Sequence, residues 1–419
     1  MKNINFYIKI DAHTIINDYI LADKINYLQH RIIVESCKYR QGLNEYVNLK
    51  NSYLENFAGK IQEAKRKAKE LGIIHCDGEY ITGKKSYGYR ITDKFISLPT
   101  HRVQCRYKKL NTRIMTIKRK EYENLSKTNR HLWKWLLQIV CNHPTIDFIQ
   151  KLKEKYSKEQ IETFLFQIQE INDKNFYLQK DGFGRVHSNI TNFYSPFREE
   201  LTIKEKRLKE IDISNSQPLF LLISYINYNN YNKSINKTYH HQPPIYESRI
   251  SNENTLISKE YSVLEDHESV VFELPKDIQL FKELCLSGTL YEFLMKETSF
   301  LGDRKEFKEK EWFKFLYGQL FIESKLKEVF KELFPNMNNY IENIKQKNYC
   351  QLSWDMQRSE SHLVMEVICG RLYKEYPEIP IITIHDSFLT YLEHIDIVRS
   401  LILEEFAKIG IIPHLKVKN

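Results

Sequence analysis

The chain lacks any apolar run long enough to cross a bilayer. The longest, residues 218–225 (PLFLLISY), falls far short of the ~20 residues that a spanning helix needs. The amino terminus, MKNINFYIKIDAH, has neither an apolar segment nor a small-residue cleavage site. A signal peptide is therefore not expected, and the expected location is the cytoplasm, with no membrane partner. Cysteine is sparse: the residues at 37, 76, 105, 141, 285, 350 and 369 form no CxxC pair. Their odd number and wide spacing argue against a disulfide framework and predict reduced, mostly buried thiols. Neither His75–Cys76 nor His240–His241 has partner ligands at zinc spacing. The first pair reads as a strand end or turn, the second as part of a loop. No internal repeat is apparent.

What is present is an ordinary globular balance. The 419 residues suffice for roughly two to four domains, or one large domain with lobes. Hydrophobic residues make up 42% and charged residues 28%, which argues against global disorder. Lys and Arg number 63 against 54 Asp and Glu, and the excess of +9 favours a polyanionic partner.

Residues 1–75 read as mostly helical after a short start at 5–10. Residues 56–71 (NFAGKIQEAKRKAKEL) join strong helix formers to a basic face, and Gly72 follows as a stop. Residues 77–107 alternate, with aromatics and Gly/Pro punctuation, so strands or hairpins are expected. Interleaved Lys, Arg and Tyr there suit a nucleic-acid surface, and equally a solvated sheet face. Helical periodicity returns over 119–178, with Trp133, Trp135, Leu136, Leu137, Phe164 and Phe166 as expected core. Residues 226–277 are rich in Asn and Tyr and poor in aliphatics, which predicts a long loop or flexible insertion. Helices are expected over 277–347, 360–376 and 395–409, a buried strand with a turn over 379–392, and a last strand over 411–418.

Two acidic residues interrupt apolar strand patterns. Asp212 lies in EIDISNSQPLFLLISY, and His385–Asp386 lie in IITIHDSFLTY. A charge in a buried strand is costly unless it is paired or metal-bound. Singly, each Asp reads as the start of a turn. Together, from separate strands of one sheet, they suit two Mg²⁺ ions about 3.5–4 Å apart that activate a 3′-hydroxyl and neutralise a leaving pyrophosphate. Magnesium needs only one or two carboxylates plus substrate phosphates. Residues 304–319 (RKEFKEKEWFKFLYGQ) form a helix of alternating charge on which Lys310, Phe313, Lys314 and Tyr317 share a face at helical spacing. Such a face can hold a triphosphate and stack on a base, or be an exposed helix with ion pairs.

These segments occur in an order that resembles the palm and fingers of family A DNA polymerases and of single-subunit, phage-type RNA polymerases. Asp212 in DISNSQ is similar to the first metal-binding motif, DxS. The helix ending in Tyr317–Gly318 is similar to the nucleotide-binding helix of the fingers, and His385–Asp386–Ser387 to the third motif. Residues 181–198 (DGFGRVHSNITNFYSPFR) resemble the segment that contacts primer and template upstream of the first motif. Met356–Gln357 and the ending GIIPHLKVKN resemble two further landmarks, and the resemblance covers residues 181–419.

The resemblance implies an α+β fold: an antiparallel palm sheet with helices, helical fingers, and a mostly helical N-terminal region with a small β segment. Residues 1–180 would then supply a thumb or nucleic-acid clamp, with the basic stretch 60–120 as the candidate, and 181–419 the palm and fingers. The implied partners are a DNA primer–template and nucleoside triphosphates. Asp212 and Asp386 would bind two Mg²⁺, and His385 the primer's terminal phosphate. Lys310, Lys308, Arg304, Lys314, Phe313 and Tyr317 would hold the nucleotide. Arg185, Asn192, Arg198, Gln357 and Ser353 would lie along the nucleic acid.

This sequence departs from the pattern in several places, among them a short stretch between the Tyr317 helix and Asp386. The family's fingers lysine lies eight residues before the Tyr, where this chain has Glu309, flanked by Lys308 and Lys310. No exonuclease-like set of acidic motifs precedes the palm. Sugar selection falls to Gln217, five residues after Asp212. DNA polymerases of the family carry Glu there and the RNA polymerases Gly, so the bulk of Gln217 favours deoxynucleotides. The HDS motif and Ser353 point towards RNA. The expectation is a template-directed polymerase, with DNA synthesis slightly favoured. The alternatives are an RNA polymerase, primase or untemplated transferase of the same fold, and a non-catalytic nucleic-acid-binding accessory of phage or plasmid replication.

Overall fold

The structure is a computed structural model that describes residues 4–38, 42–142, 144–238 and 274–418. It is a mixed α+β molecule whose sheets are antiparallel. The main sheet runs in the order Ile382–Ile384, Ser387–Tyr391, Lys206–Ile213, Leu201–Ile203 and Ile139–Cys141. The last strand, Leu415–Lys418, also pairs with Lys206–Ile213, opposite residues 210–213. The central strand is thus hydrogen-bonded on both edges at the end that carries Asp212.

Strand periodicity sorts its side chains onto two faces. Ile211 and Ile213, with Phe388 opposite Ile211, join the largest apolar core, shared with helices of the C-terminal half. Leu208 faces the other way, with Leu389, Ile382, Ile384 and Tyr391, into a second core. At the top of that second face the apolar pattern gives way to Glu210, Asp212 and Ser387. On that face the strand is thus apolar at Leu208 and acidic at Glu210 and Asp212.

The second core also takes Trp135, Leu136, Ile139, Phe164 and Ile171, so residues 127–178 pack with the main sheet. A third core lies wholly within residues 6–114. Residues 6–114, the first body, thus have a core of their own, while Phe166 joins Tyr7, Ile33, Cys37 and Leu43 in a smaller apolar cluster that packs this body against residues beyond 125. Within the first body the sequence's helical stretch 56–71 is two helices, Asn51–Ala58 and Gln62–Glu70, broken at Gly59, whose φ is +67°. The expected strands of 77–107 are short, Gly88–Ile91 and His101–Gln104, with a helical turn Asp93–Ile96 between them. His75 and Cys76 lie in the strand Ile74–Cys76.

Two further expectations are corrected. Leu137 is 39% exposed, beyond the end of its helix. Residues 226–238 continue the helix Ser216–Thr238 and are no loop. The rest of the expected insertion, up to 273, lies outside the described residues, as do His240–His241. All seven cysteines are free, five of them buried. No described helix is long and apolar enough to cross a membrane.

Candidate active site

The two aspartates meet through strand register. Asp212 is paired with Ser387, the residue after Asp386, and Ser387 Oγ donates to Asp212 Oδ1 at 2.7 Å. His385 and Asp386 are the two residues of a tight hairpin turn, since Ile384 and Ser387 are paired across it. Such turns need a left-handed residue, and His385 takes it with φ +53°. The Ile213 amide donates to the Asp386 carbonyl at 3.4 Å, closing the turn onto the central strand. Beyond Ile213 the chain turns through Asn215 (φ +53°) into the helix Ser216–Thr238, and Ser216 hydrogen-bonds the Asp386 carboxyl.

Burial pushes the Asp386 carboxyl above its ordinary range, and the neighbouring charge of Asp212 adds to this, against the Ser216 bond. Two cations offset the acidic pair. Lys418 Nζ lies 3.1 Å from Asp212 Oδ1 and 2.8 Å from Glu210 Oε1. Burial works against Lys418, but these carboxylates hold its ammonium above the usual value. The second is Lys308, lowered by burial and by Arg304, and pulled back up by Asp386 and Asp212.

Lys308 owes its place to a local irregularity. Residues 304–317 form one helix whose middle, Lys308–Trp312, is a π-turn. A π-turn closes on i+5, so side chains five apart stack where four would in an α-helix. The face looking at the carboxylates is accordingly Arg304, Lys308, Phe313 and Tyr317, spaced four, five and four. Arg304 and Lys308 lie 5.2 and 5.4 Å from the ring of buried Tyr291. Lys308 Nζ is 5.9 Å from the Phe313 ring, which lies 5.8 Å from that of Tyr317. Lys310 and Lys314, expected on this face, are exposed instead, and Lys310 pairs with Glu306 at 3.0 Å. The extra residue of the π-turn thus compensates the one-residue departure noted at Glu309: Lys308, nine residues before Tyr317, stands where an uninterrupted helix would put the residue eight before it.

Tyr317 donates its hydroxyl hydrogen to Gln217 Oε1. Gln217 Nε2 in turn faces Glu360 Oε2 at 3.5 Å, and Arg185 donates to the same oxygen at 2.7 Å. Arg304 donates to Glu292 at 2.7 Å and to Asn215 Oδ1, tying the helix 304–317 to the turn beside Asp212. On the opposite side, burial and the charges of Arg185, His187 and Arg198 push the His385 imidazole down to about 4. Its ring centroid lies 5.5 Å from that of His187, which bonds Asp181 at 2.9 Å. Arg198 pairs with Glu210 at 3.4 Å.

Four buried nitrogens around the aspartates have no hydrogen-bond partner: Arg185 Nε, Arg198 Nε, Asn215 Nδ2 and His385 Nδ1. Buried unpaired donors are rare and call for an explanation, and an anionic ligand is one.

Other expected residues stand farther back. Asn192 Nδ2 bonds the Tyr177 hydroxyl at 3.0 Å. Gln357 Nε2 donates to Ser353 Oγ at 3.1 Å, one turn away on the helix Gln351–Ser361. Sequence reasoning missed Glu360, Lys418, His187 and Tyr291. Glu360 and Lys418 left a faint signal, a Glu inside a half-apolar helix and a Lys at the end of a short strand.

Among the described residues no three His, Cys, Asp or Glu side chains converge on one point. A cation here would rest on Asp212 and Asp386, with its remaining ligands from substrate. The donor set, two carboxylates with one pushed up by burial and by the other's charge, fits a hard divalent ion. No protein-family model matches the chain, and no curated protein is significantly similar to it.

Proposed function

We propose that the protein is a template-directed nucleic-acid polymerase with a palm-and-fingers architecture, in which the main sheet is the palm and the helix 304–317 belongs to the fingers. The observation that carries this reading is the convergence of Asp212, on the central strand, and Asp386, in the adjoining hairpin turn, with Lys308 of the helix 304–317 near both and Tyr317 of that helix bonded to Gln217. The pair suits Mg²⁺, which when bound supplies activation of a 3′-hydroxyl and charge neutralisation at the departing pyrophosphate. The chain's own residues do the positioning, which is most of what phosphoryl transfer asks of a protein. Lys308 and Arg304 hold the triphosphate. Phe313 and Tyr317 pack against the base, and Gln217 beside the sugar favours deoxynucleotides. His385, held neutral, sits among Arg185, His187 and Arg198, a basic cluster suited to the phosphate at the primer end. The basic helices of the first body, Gln62–Glu70 and Lys108–Glu123, are the candidate clamp on the duplex.

A second reading, a nucleic-acid-binding protein without catalysis, draws support from Lys418, whose ammonium already neutralises Asp212. Primer extension with Mg²⁺ on DNA and RNA templates separates the two, with dNTPs and rNTPs in separate reactions and Asp386→Ala as control. The polymerase reading expects extension that the substitution abolishes. Intact duplex binding with no extension under any combination favours the second.

A further inference from the structure

Glu360 is 2% exposed, sits on the helix Gln351–Ser361, and pairs with no group of the candidate metal site. Its Oε2 receives Arg185 at 2.7 Å and faces Gln217 Nε2 at 3.5 Å. An oxygen that receives a guanidinium N–H is an acceptor. Facing it, the Gln217 side chain must turn its NH₂ to Glu360 and its carbonyl away. That carbonyl is where the Tyr317 hydroxyl donates. The amide of Gln217 is thus gripped at both ends, by Glu360 from one helix and Tyr317 from another.

The grip is built on a stiff support. The loop carrying Arg185 is pinned to the Glu360 helix by Ser361 Oγ, which donates to the Phe183 carbonyl at 2.7 Å. Phe183 stacks on Trp354 at 5.9 Å. Gly184 has φ +88°, and a Cβ there would lie 2.7 Å from Ser361 Oγ. The close approach that brings Arg185 onto Glu360 therefore depends on a glycine in a left-handed conformation.

We propose that Glu360 is a positioning residue that sets the sugar preference of the nucleotide pocket, by locking the Gln217 amide in one orientation against Tyr317. This rests on the polymerase reading, which puts Gln217 beside the sugar. With the lock in place, Gln217 fills the space a 2′-hydroxyl would need. Without Glu360 the amide can flip or swing towards the space vacated, and the pocket admits ribose.

The test is the ratio of kcat/KM for dNTP over rNTP in single-nucleotide extension, for wild type, Glu360→Gln, Glu360→Ala, Gln217→Gly and the double variant Glu360→Ala/Gln217→Gly. Thermal melts establish which variants are folded. The expected result is a preference for dNTP in the wild type and a fall in that ratio of about tenfold or more in the Glu360 variants. The double variant should discriminate no better and no worse than Gln217→Gly, because both act through one amide. Should Glu360→Ala not fold, Glu360→Gln carries the test: it keeps the shape but can present either a donor or an acceptor to Gln217. A folded Glu360 variant whose rates fall equally for both sugars, ratio unchanged, overturns the inference and leaves the polymerase reading standing. Equal use of both sugars by the wild type does the same. A wild type that extends nothing overturns the polymerase reading, and this inference with it.

Discussion

At the scale of single residues, the site is a set of charges that do not neutralise one another completely. Asp386 is buried beside Asp212, and Ser216, Ser387, Lys418 and Lys308 moderate the pair. Asp386→Asn should leave the fold intact, since Asn keeps the shape and can still bond Ser216, and should lower extension on the order of 10³-fold or more in single-turnover kinetics. Glu360 gives a pH signature. Burial, opposed by Arg185 and reinforced by Asp386 and Asp181, pushes its carboxyl from 4.5 up to about 7. A group raised in the fold favours folding at pH values below its unfolded pKa and loses that contribution as pH climbs through the folded value. Relative to wild type, Glu360→Gln should therefore gain stability between about pH 4.5 and pH 7, by about 3 kcal/mol in all. Urea denaturation of both proteins across that range measures it. A difference that does not vary with pH would show that the carboxyl is not held in this environment.

At the scale of elements, the π-turn Lys308–Trp312 sets which lysine of its helix lies near the aspartates. Lys308→Ala should reduce nucleotide incorporation by about 100-fold, and Lys310→Ala by less than about threefold, in steady-state extension. Deleting Glu309 removes the extra residue, straightens the helix and leaves Lys308 eight residues before the tyrosine, so it should retain most activity. The far end of the same helix is held by Lys345. This lysine is only 4% exposed, and its ammonium donates to the carbonyls of Phe315 and Gly318 at 2.8 and 3.0 Å. A cation there satisfies the helix's last carbonyls and its dipole. Lys345→Met should cost about 1–3 kcal/mol in chemical denaturation. The strand carrying Asp212 and the hairpin at His385–Asp386 were legible in the sequence because period-two alternation and a polar interruption mark them. The π-turn was not, because its side chains fit an α-helical face equally well, and that pattern pointed to Lys310. Glu360 was hidden for another reason: its partners Arg185 and Gln217 lie 175 and 143 residues away, and no local pattern encodes such a contact. The helix 226–238 went unread because Asn and Tyr are poor helix formers, and it continues from a strongly apolar start.

At the scale of the whole molecule, the first body has its own core within residues 6–114 and is tied to the second by the apolar cluster around Phe166 and by polar contacts. Asp173 accepts from Tyr7 Oη at 2.5 Å and from Arg102 at 2.7 Å, and Gln167 donates to the Cys37 carbonyl at 3.1 Å. Asp173→Ala removes two of these ties and should cost about 1–3 kcal/mol, with the unfolding transition broadening or splitting as the bodies uncouple. Differential scanning calorimetry reads both effects. The separate core of residues 6–114 was not legible because helical periodicity runs through 119–178 without a break in composition, while the strand Ile139–Cys141, which joins those residues to the main sheet, is too short to stand out. The central claim concerns what the aspartate pair does with a template. It is tested most directly by single-nucleotide extension of a labelled primer on four templates that differ only in the first unpaired base, with Mg²⁺, comparing wild type with Asp386→Asn. The account predicts addition of the complementary nucleotide on each template by the wild type and none by the variant. Addition that ignores the template base, or that survives in Asp386→Asn, would contradict it.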